Sequence, residues 1–465
     1  MKPDLKHTRA WLPLLTCGIA CGLGNLPALA QPATTVANAT SVEGTAYVTR
    51  ADGRQTILAR GSALGVGDAL STARNSTVRL RFTDGGETAV RPDSRITVQA
   101  YNYARDNPQA DNLILGLLKG GLRAITGSIG KRGNVDAYRL NISTATIGIR
   151  GTDYTARLCN NDCQQDPASA TRNTRPNSSA PVIARVMQSQ GPVTVERDAR
   201  QVDIAQGAPL YASDRVSTTP GGFAVLAFRD DTRVTLNSGT RLALAQYVYD
   251  AEQPARGNML FQLLSGGLRV ATGLIGKAAP RQVKFQTSTA TIGIRGTVFD
   301  LSCGKADTTE DPPPQDVTDS TCDQALFVST RAGEIVLAAS DGREVSVVAG
   351  QSGLVPGLQG SARTLAAVPA YFNTLSTPAP ETVDVNLEQL FGSAAPAPDT
   401  SGVYLMVREG KVVLEQSGQT LAVDAGEAAY AGQSLAPLRL SSTPVLLDRD
   451  LSLSNRAFNF NICRP

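Results

Sequence analysis

Apolar and polar residues alternate along much of the chain, as at Val78, Leu80 and Phe82, at Val234 and Leu236, and at Leu242 and Leu244. A period of two places every second side chain on one face, so these runs read as half-buried strands. Between them fall Asp52-Gly53, Asp84-Gly85, Pro220-Gly221, Asp341-Gly342 and Ser417-Gly418, the dipeptides that close hairpins. No long 3.6-residue period competes. One short helix is expected at 113–118 or at 385–391. The pattern predicts an all-β chain.

The same pattern occurs twice. STATIGIRGT stands at 143–152 and again, letter for letter, at 288–297. Upstream, GGLRAITGSIGK from Gly120 answers GGLRVATGLIGK from Gly266, Phe82 answers Phe228, and Gly61 and Asp68 answer Gly207 and Asp214. Self-similarity of this length marks a duplicated structural unit. Copy one is assigned to 41–163 and copy two to 181–356, the latter with a loop at 304–321, and 164–180 and 357–400 read as linkers on composition. A weaker echo follows. YLMVREGKVVL from Tyr404 is similar to FVSTRAGEIVL from Phe327, which predicts a partial third β repeat over 401–465, packed on the others as a cap.

The 465 residues exceed what one core usually serves. With 43 Gly, 26 Pro, 18% charged and 42% hydrophobic residues, the chain is too apolar for disorder and too punctuated for long helices. Lys2, Lys6 and Arg9 precede an apolar run from Trp11 to Leu23, with Ala28, Leu29 and Ala30 before Gln31. This is the pattern of a secretory signal over 1–30. Cys17 and Cys21 lie in poor lipobox contexts, and no later stretch is long and apolar enough for a membrane span. The expected location is periplasmic or extracellular.

Cleavage there removes the only His, His7, and the only Trp, Trp11, together with three cations and one acid. The mature charge falls to about +1, which gives no electrostatic case for nucleic acid or an anionic membrane. Without histidine, Ser or Cys nucleophiles lack their usual base and a structural zinc lacks ligands. Asp84 with Glu87 and the cluster Glu310, Asp311 and Asp316 sit at a turn and in a Pro-rich loop, usual places for solvated acids rather than glycosidase pairs. No enzyme activity, metal or cofactor is expected. Lys131 and Lys277 end a GxxGK string that lacks the spacing and the following Ser or Thr of a phosphate loop.

Five cysteines remain, and an oxidising compartment favours pairing Cys159 with Cys163 and Cys303 with Cys322, leaving Cys463 free or available to another chain. Arg150 and Arg295, set between glycines, are candidates for binding a carboxylate, sugar or phosphate on a partner, against the plainer reading that they tie a loop to backbone carbonyls. Tyr101 with Tyr103, and Tyr247 with Tyr249, stand two apart on one strand face in each copy, as a ligand platform or as cover for a sheet edge.

The ordered motifs, from GSALGVGDALSTARNSTVRLRF through LLKGGLRAITGSIGK to TATIGIRGT, resemble the FecR domain, and copy two repeats the order. The resemblance implies an all-β domain, a sandwich or short solenoid-like stack, without catalysis. Well-understood members of that family are inner-membrane regulators of sigma factors in iron uptake, which rely on a transmembrane helix and a cytoplasmic segment. This chain shows neither, so the expected role is a binding, sensing or assembly scaffold whose partner is an envelope or surface protein. Alternatives are an envelope glycan as ligand, and sigma-factor signalling in trans.

Overall fold

The structure is a computed structural model that describes residues 34–132, 134, 136–165, 180–304, 320–396, 400–433, 436–448 and 450–454. The proposed signal, Cys463, the acids Glu310, Asp311 and Asp316, and most of 164–180 and 304–321 lie outside these. From Thr35 onward the described chain is strands in two sheets, with only short helical turns between them. Each sheet bends over on itself around one apolar core, and the bend is built from glycine.

In the first module the strand Asn112–Ile125 changes partners midway: Leu113 to Leu117 lie against Tyr138–Ile142, while Leu122 to Ile125 lie against the strand Glu87–Val90. The switch falls at Gly120, whose φ of +73° suits glycine and whose missing Cβ would lie 2.1 Å from Ser94 Oγ. The second module breaks its corresponding strand outright at Gly266, between Asn258–Ser265 and Gly267–Ala271. The helix expected at 113–118 is therefore a strand, because Leu113, Leu115 and Leu117 alternate into the core while Leu118 is exposed. The helix at the alternative site exists as Leu387–Phe391, capped by the Asn386 side chain, which accepts from Gln389 N. All five predicted hairpin glycines adopt positive φ.

STATIGIRGT opens the long strands Thr146–Cys159 and Ala290–Gly304, here called the motif strands. In the second module the motif strand pairs with the next segment of chain, Ala325–Ala339, so that Ile292 faces Leu337 and Phe299 faces Thr330. In the first module the same place is taken by Gly402–Gln416, from beyond the second module, with Ile147 facing Leu414 and Tyr154 facing Val407. The register is identical in both. The C-terminal segment is thus no separate cap: Val403, Leu405, Val407, Val412 and Leu414 belong to the first module's own core. Each such buried side chain stabilises the fold by roughly 1.5–3 kcal/mol. The second module is inserted in sequence within the first.

The C-terminal hairpin also touches the second module. Glu427 is buried and held by Arg185, from the strand Ala184–Gln190, and by Arg439. Tyr211 Oη donates to Ala425 O at 2.7 Å. Gly426 leaves no room for a Cβ, which would lie 2.2 Å from Ala180 O.

Candidate binding face

Over Thr146–Arg150 and Thr291–Arg295 the motif strands alternate. Ile147 and Ile149 are buried, as are Ile292 and Ile294, so Thr146, Gly148 and Arg150, and likewise Thr291, Gly293 and Arg295, face outward. Beyond them Gly151 and Gly296, at φ of +58° and +61°, form a bulge where the pairing to the closing strand shifts register. These two glycines are required by the backbone. Gly148 and Gly293 are not: neither has positive φ, and a Cβ on either would meet its nearest neighbour at 3.7 and 3.9 Å.

Over this outward face lies a cavity in each module, of about 650 Å³ in the first and about 730 Å³ in the second. Both are lined by the outward Thr, Gly and Arg of the motif strand. The charges around them differ. The first carries Arg139 and Arg150 against Asp136 and Glu415. The second carries Lys277, Arg281, Lys284 and Arg295, with Glu344. Arg295 reaches Glu334 at 3.0 Å across the strand pair, whereas Arg150 stands opposite Lys411. Both arginines are exposed, and among the described residues neither donates to a backbone carbonyl.

The paired tyrosines sit elsewhere. Tyr101 Oη accepts from Asp84 N at 2.9 Å and lies 2.8 Å from Thr83 Oγ1, and burial pushes its hydroxyl up to about 12. Tyr247 Oη accepts from Asp230 N at 2.9 Å and donates to Asp230 Oδ1 at 3.1 Å; burial raises it well above the ordinary range. Tyr103 lies under the Arg132 guanidinium at 4.8 Å, and Tyr249 packs half-buried on the second core. These rings secure a turn and an edge in each module.

The turn they hold explains the GxxGK string. Asp84 accepts from Gly86 N and Ile129 N, both at 3.0 Å. Asp230 accepts from Thr232 Oγ1 at 2.8 Å and Ile275 N at 3.3 Å. Burial raises the Asp230 carboxyl despite these donors. Gly127 and Gly273 admit the carboxylate turn, since a Cβ would lie 2.5 Å from Asp84 Oδ2 and 2.0 Å from Asp230 O. The string is a clamp on an aspartate. Asp84, expected as a solvated acid at a turn, is thus buried, and Glu87 lies 3.4 Å from Arg81.

A charged cluster escaped the sequence reading. Asp300 receives Arg269 and Arg331, each at 2.6 Å, and Arg331 also donates to Phe372 O. In the first module Arg123 holds Asp153 at 2.5 Å and donates to Leu453 O at 2.9 Å, and Arg408 donates to Thr155. Burial, with Arg123 beside it, pushes Arg408 down to about 9. The signal was an arginine at the same place in each GGLR string and in each closing strand. Disulfides join Cys159 to Cys163 and Cys303 to Cys322. Among the described residues no group of three or more His, Cys, Asp or Glu is placed to hold a metal, and no helix is long and apolar enough to cross a membrane.

No curated protein matches this chain. Two crystal structures described as putative anti-sigma factors from Parabacteroides distasonis ATCC 8503 are similar to parts of it. One is 15% identical over 34% of this chain and 62% of its own length, with a TM-score of 0.25. The other is 13% identical over 45% of this chain and 99% of its own, also with a TM-score of 0.25. Residues 68–169 and 214–311 both match the family described as FecR protein. Each match contains one motif strand and its aspartate clamp, and the chain therefore carries two FecR regions in tandem.

Proposed function

We propose that this chain is a non-catalytic binding and sensing scaffold that works outside the cytoplasm, with the outward faces of its motif strands as the surfaces that meet a partner. The observation that carries the reading is the repeated outward triplet of Thr, Gly and Arg. Neither packing nor backbone conformation demands Gly148 and Gly293, yet both copies keep them under a cavity beside an exposed arginine. Residues kept at exposed positions without a folding role point to recognition. The two disulfides fit an oxidising compartment, and the FecR match fits the envelope setting of that family.

A photoreactive side chain placed at Thr146 or Thr291 in the producing cells tests this. Adducts are expected at those positions and not from the exposed Val202, which lies on another strand. No adduct, or equal labelling from Val202, overturns the reading. Fractionation of the same cells, with thiol trapping of Cys303 and Cys322, tests the location: cytoplasmic, reduced protein would refute export.

A further inference from the structure

The two faces share geometry but place their charges differently. Around its cavity Lys277, Arg281, Lys284 and Arg295 are all exposed, and the acids nearby are Glu344 and Glu334, the latter engaged by Arg295 and by Ser346 Oγ at 2.5 Å. Cations outnumber carboxylates two to one. At the equivalent places the first module has Asp136 for Arg281, Glu415 for Ala338 and Lys411 for Glu334, so that acids stand among the residues lining its cavity where the second has a cation and an alanine. Lys277, Arg281 and Lys284, gathered on one face, repel one another, and the arrangement is favourable once an anion lies among them.

The form of the anion follows from the floor. Lys284 to Gln286 and Thr291 to Gly293 pair with each other, and the motif strand pairs in turn with Glu334 to Ala339, so the backbone groups here are spent on ladders. A peptide adding as a strand has nothing to pair with. Val283 and Ile294 point inward and are buried, leaving Thr291, Gly293, Val336 and Ala338 as the floor. No aromatic ring lines the cavity to stack a neutral sugar. What fits is a chain that carries its own regularly spaced anions and lies flat.

We propose that the second module's face binds a linear, carboxylate-bearing polysaccharide, with Lys277, Arg281, Lys284 and Arg295 engaging its carboxylates and Gly293 providing the flat floor beneath the sugar rings. This rests on the reading of the motif-strand face as a binding surface and names its ligand class. The probe is polygalacturonate, titrated against the full chain at low and moderate salt, with dextran and poly-glutamate as comparators. Binding is expected to polygalacturonate, to weaken steeply with salt, and to be absent for dextran. For a polyanion the salt slope should fall by about two on neutralising two contacts, so Lys284→Gln with Arg295→Gln should weaken binding at least roughly tenfold. A pair of exposed cations away from both cavities, Arg200→Gln with Arg241→Gln, should leave it within about twofold. All four residues are exposed, and an unchanged melting temperature establishes that the variants remain folded. No binding, equal or tighter binding of poly-glutamate, or equal loss from both pairs overturns the proposal. Adducts at Thr291 alongside absent polygalacturonate binding would reject the glycan while leaving the binding surface in place.

Discussion

The first module and the second are built from the same strands in the same register, but the second closes on itself and the first does not. The strand that completes the second, Ala325–Ala339, is the next described strand after its motif strand, and the Cys303–Cys322 bond ties the two ends of that connection. The strand that completes the first, Gly402–Gln416, arrives only after the whole second module has been made. Contacts this remote in sequence form late, since the chain between must be ordered before they are rewarded. Duplication has therefore produced one module that folds from neighbours and one that waits for its end.

The comparison breaks most visibly if the chain is cut after residue 400. The first module then loses eight fully buried apolar side chains and its motif strand becomes an edge. Amide exchange in Thr146–Cys159 should rise on the order of a thousandfold or more, because ~4 kcal/mol of local stability is a factor of about 1000. Exchange in Ala290–Gly304 should change by less than about tenfold. Equal loss in both motif strands would show that the modules fold as one unit. Next in size is Glu427→Ala. It leaves Arg185 and Arg439 buried against each other without their shared carboxylate, at a cost of ~3–5 kcal/mol, read as a lower denaturant midpoint. Burial already lowers Arg439 below the usual guanidinium range, with the nearby carboxylates opposing that shift.

Much of this was legible in the sequence because the repeat supplied its own control. Strand alternation, hairpin dipeptides and STATIGIRGT fixed the β character and matched the two motif strands without any structure. The similarity predicts a partial third repeat over 401–465, yet the clue to its place lies in what is missing: no segment like FVSTRAGEIVL follows Cys163, and an unclaimed one stands at Tyr404. Sequence similarity aligns segments and is silent on which partner a strand will find across hundreds of residues. The tyrosine pairs were legible as a face but not as a turn support, since a hydroxyl's partner is set by tertiary packing. Arg123 and Arg269 went unread because a buried ion pair looks, in one dimension, like a polar residue on a strand.

Reduction sharpens the contrast at a smaller scale. The Cys303–Cys322 bond closes a sequence separation of 19, and the Cys159–Cys163 bond one of 4. The chain-entropy relation gives about 3 kcal/mol for the larger loop and about 2 for the smaller. Cys303→Ser with Cys322→Ser should therefore destabilise its module by roughly 1 kcal/mol more than Cys159→Ser with Cys163→Ser. Unfolding followed by exchange in each motif strand measures the two separately. The reverse order would mean that the short bridge does more than restrict the unfolded chain, for instance by holding Cys163 in the small cluster with Tyr404 and Tyr430.

The smallest expected effect concerns alkali. In the first core Tyr138 and Tyr154 are buried with their hydroxyls 3.1 Å apart, where the second core has Val283 and Phe299 at the corresponding places. Burial raises both hydroxyls above the ordinary tyrosine range. The sign follows from proton counts: above about pH 10 the unfolded chain releases these protons while the folded chain keeps them, so ionisation favours unfolding. Their contribution is present in full below the unfolded value and declines as pH rises through and beyond it. Tyr138→Phe with Tyr154→Phe copies the second module's apolar choice and removes the titration. The wild type should lose more stability than this variant between pH 8 and pH 11, by about 1 kcal/mol for each full unit of pH above 10 for each tyrosine. Tyr101 and Tyr247 titrate in both proteins and cancel in the comparison. Parallel pH profiles for wild type and variant would show that these two hydroxyls keep a near-ordinary affinity for their protons, and that the two cores differ in shape alone.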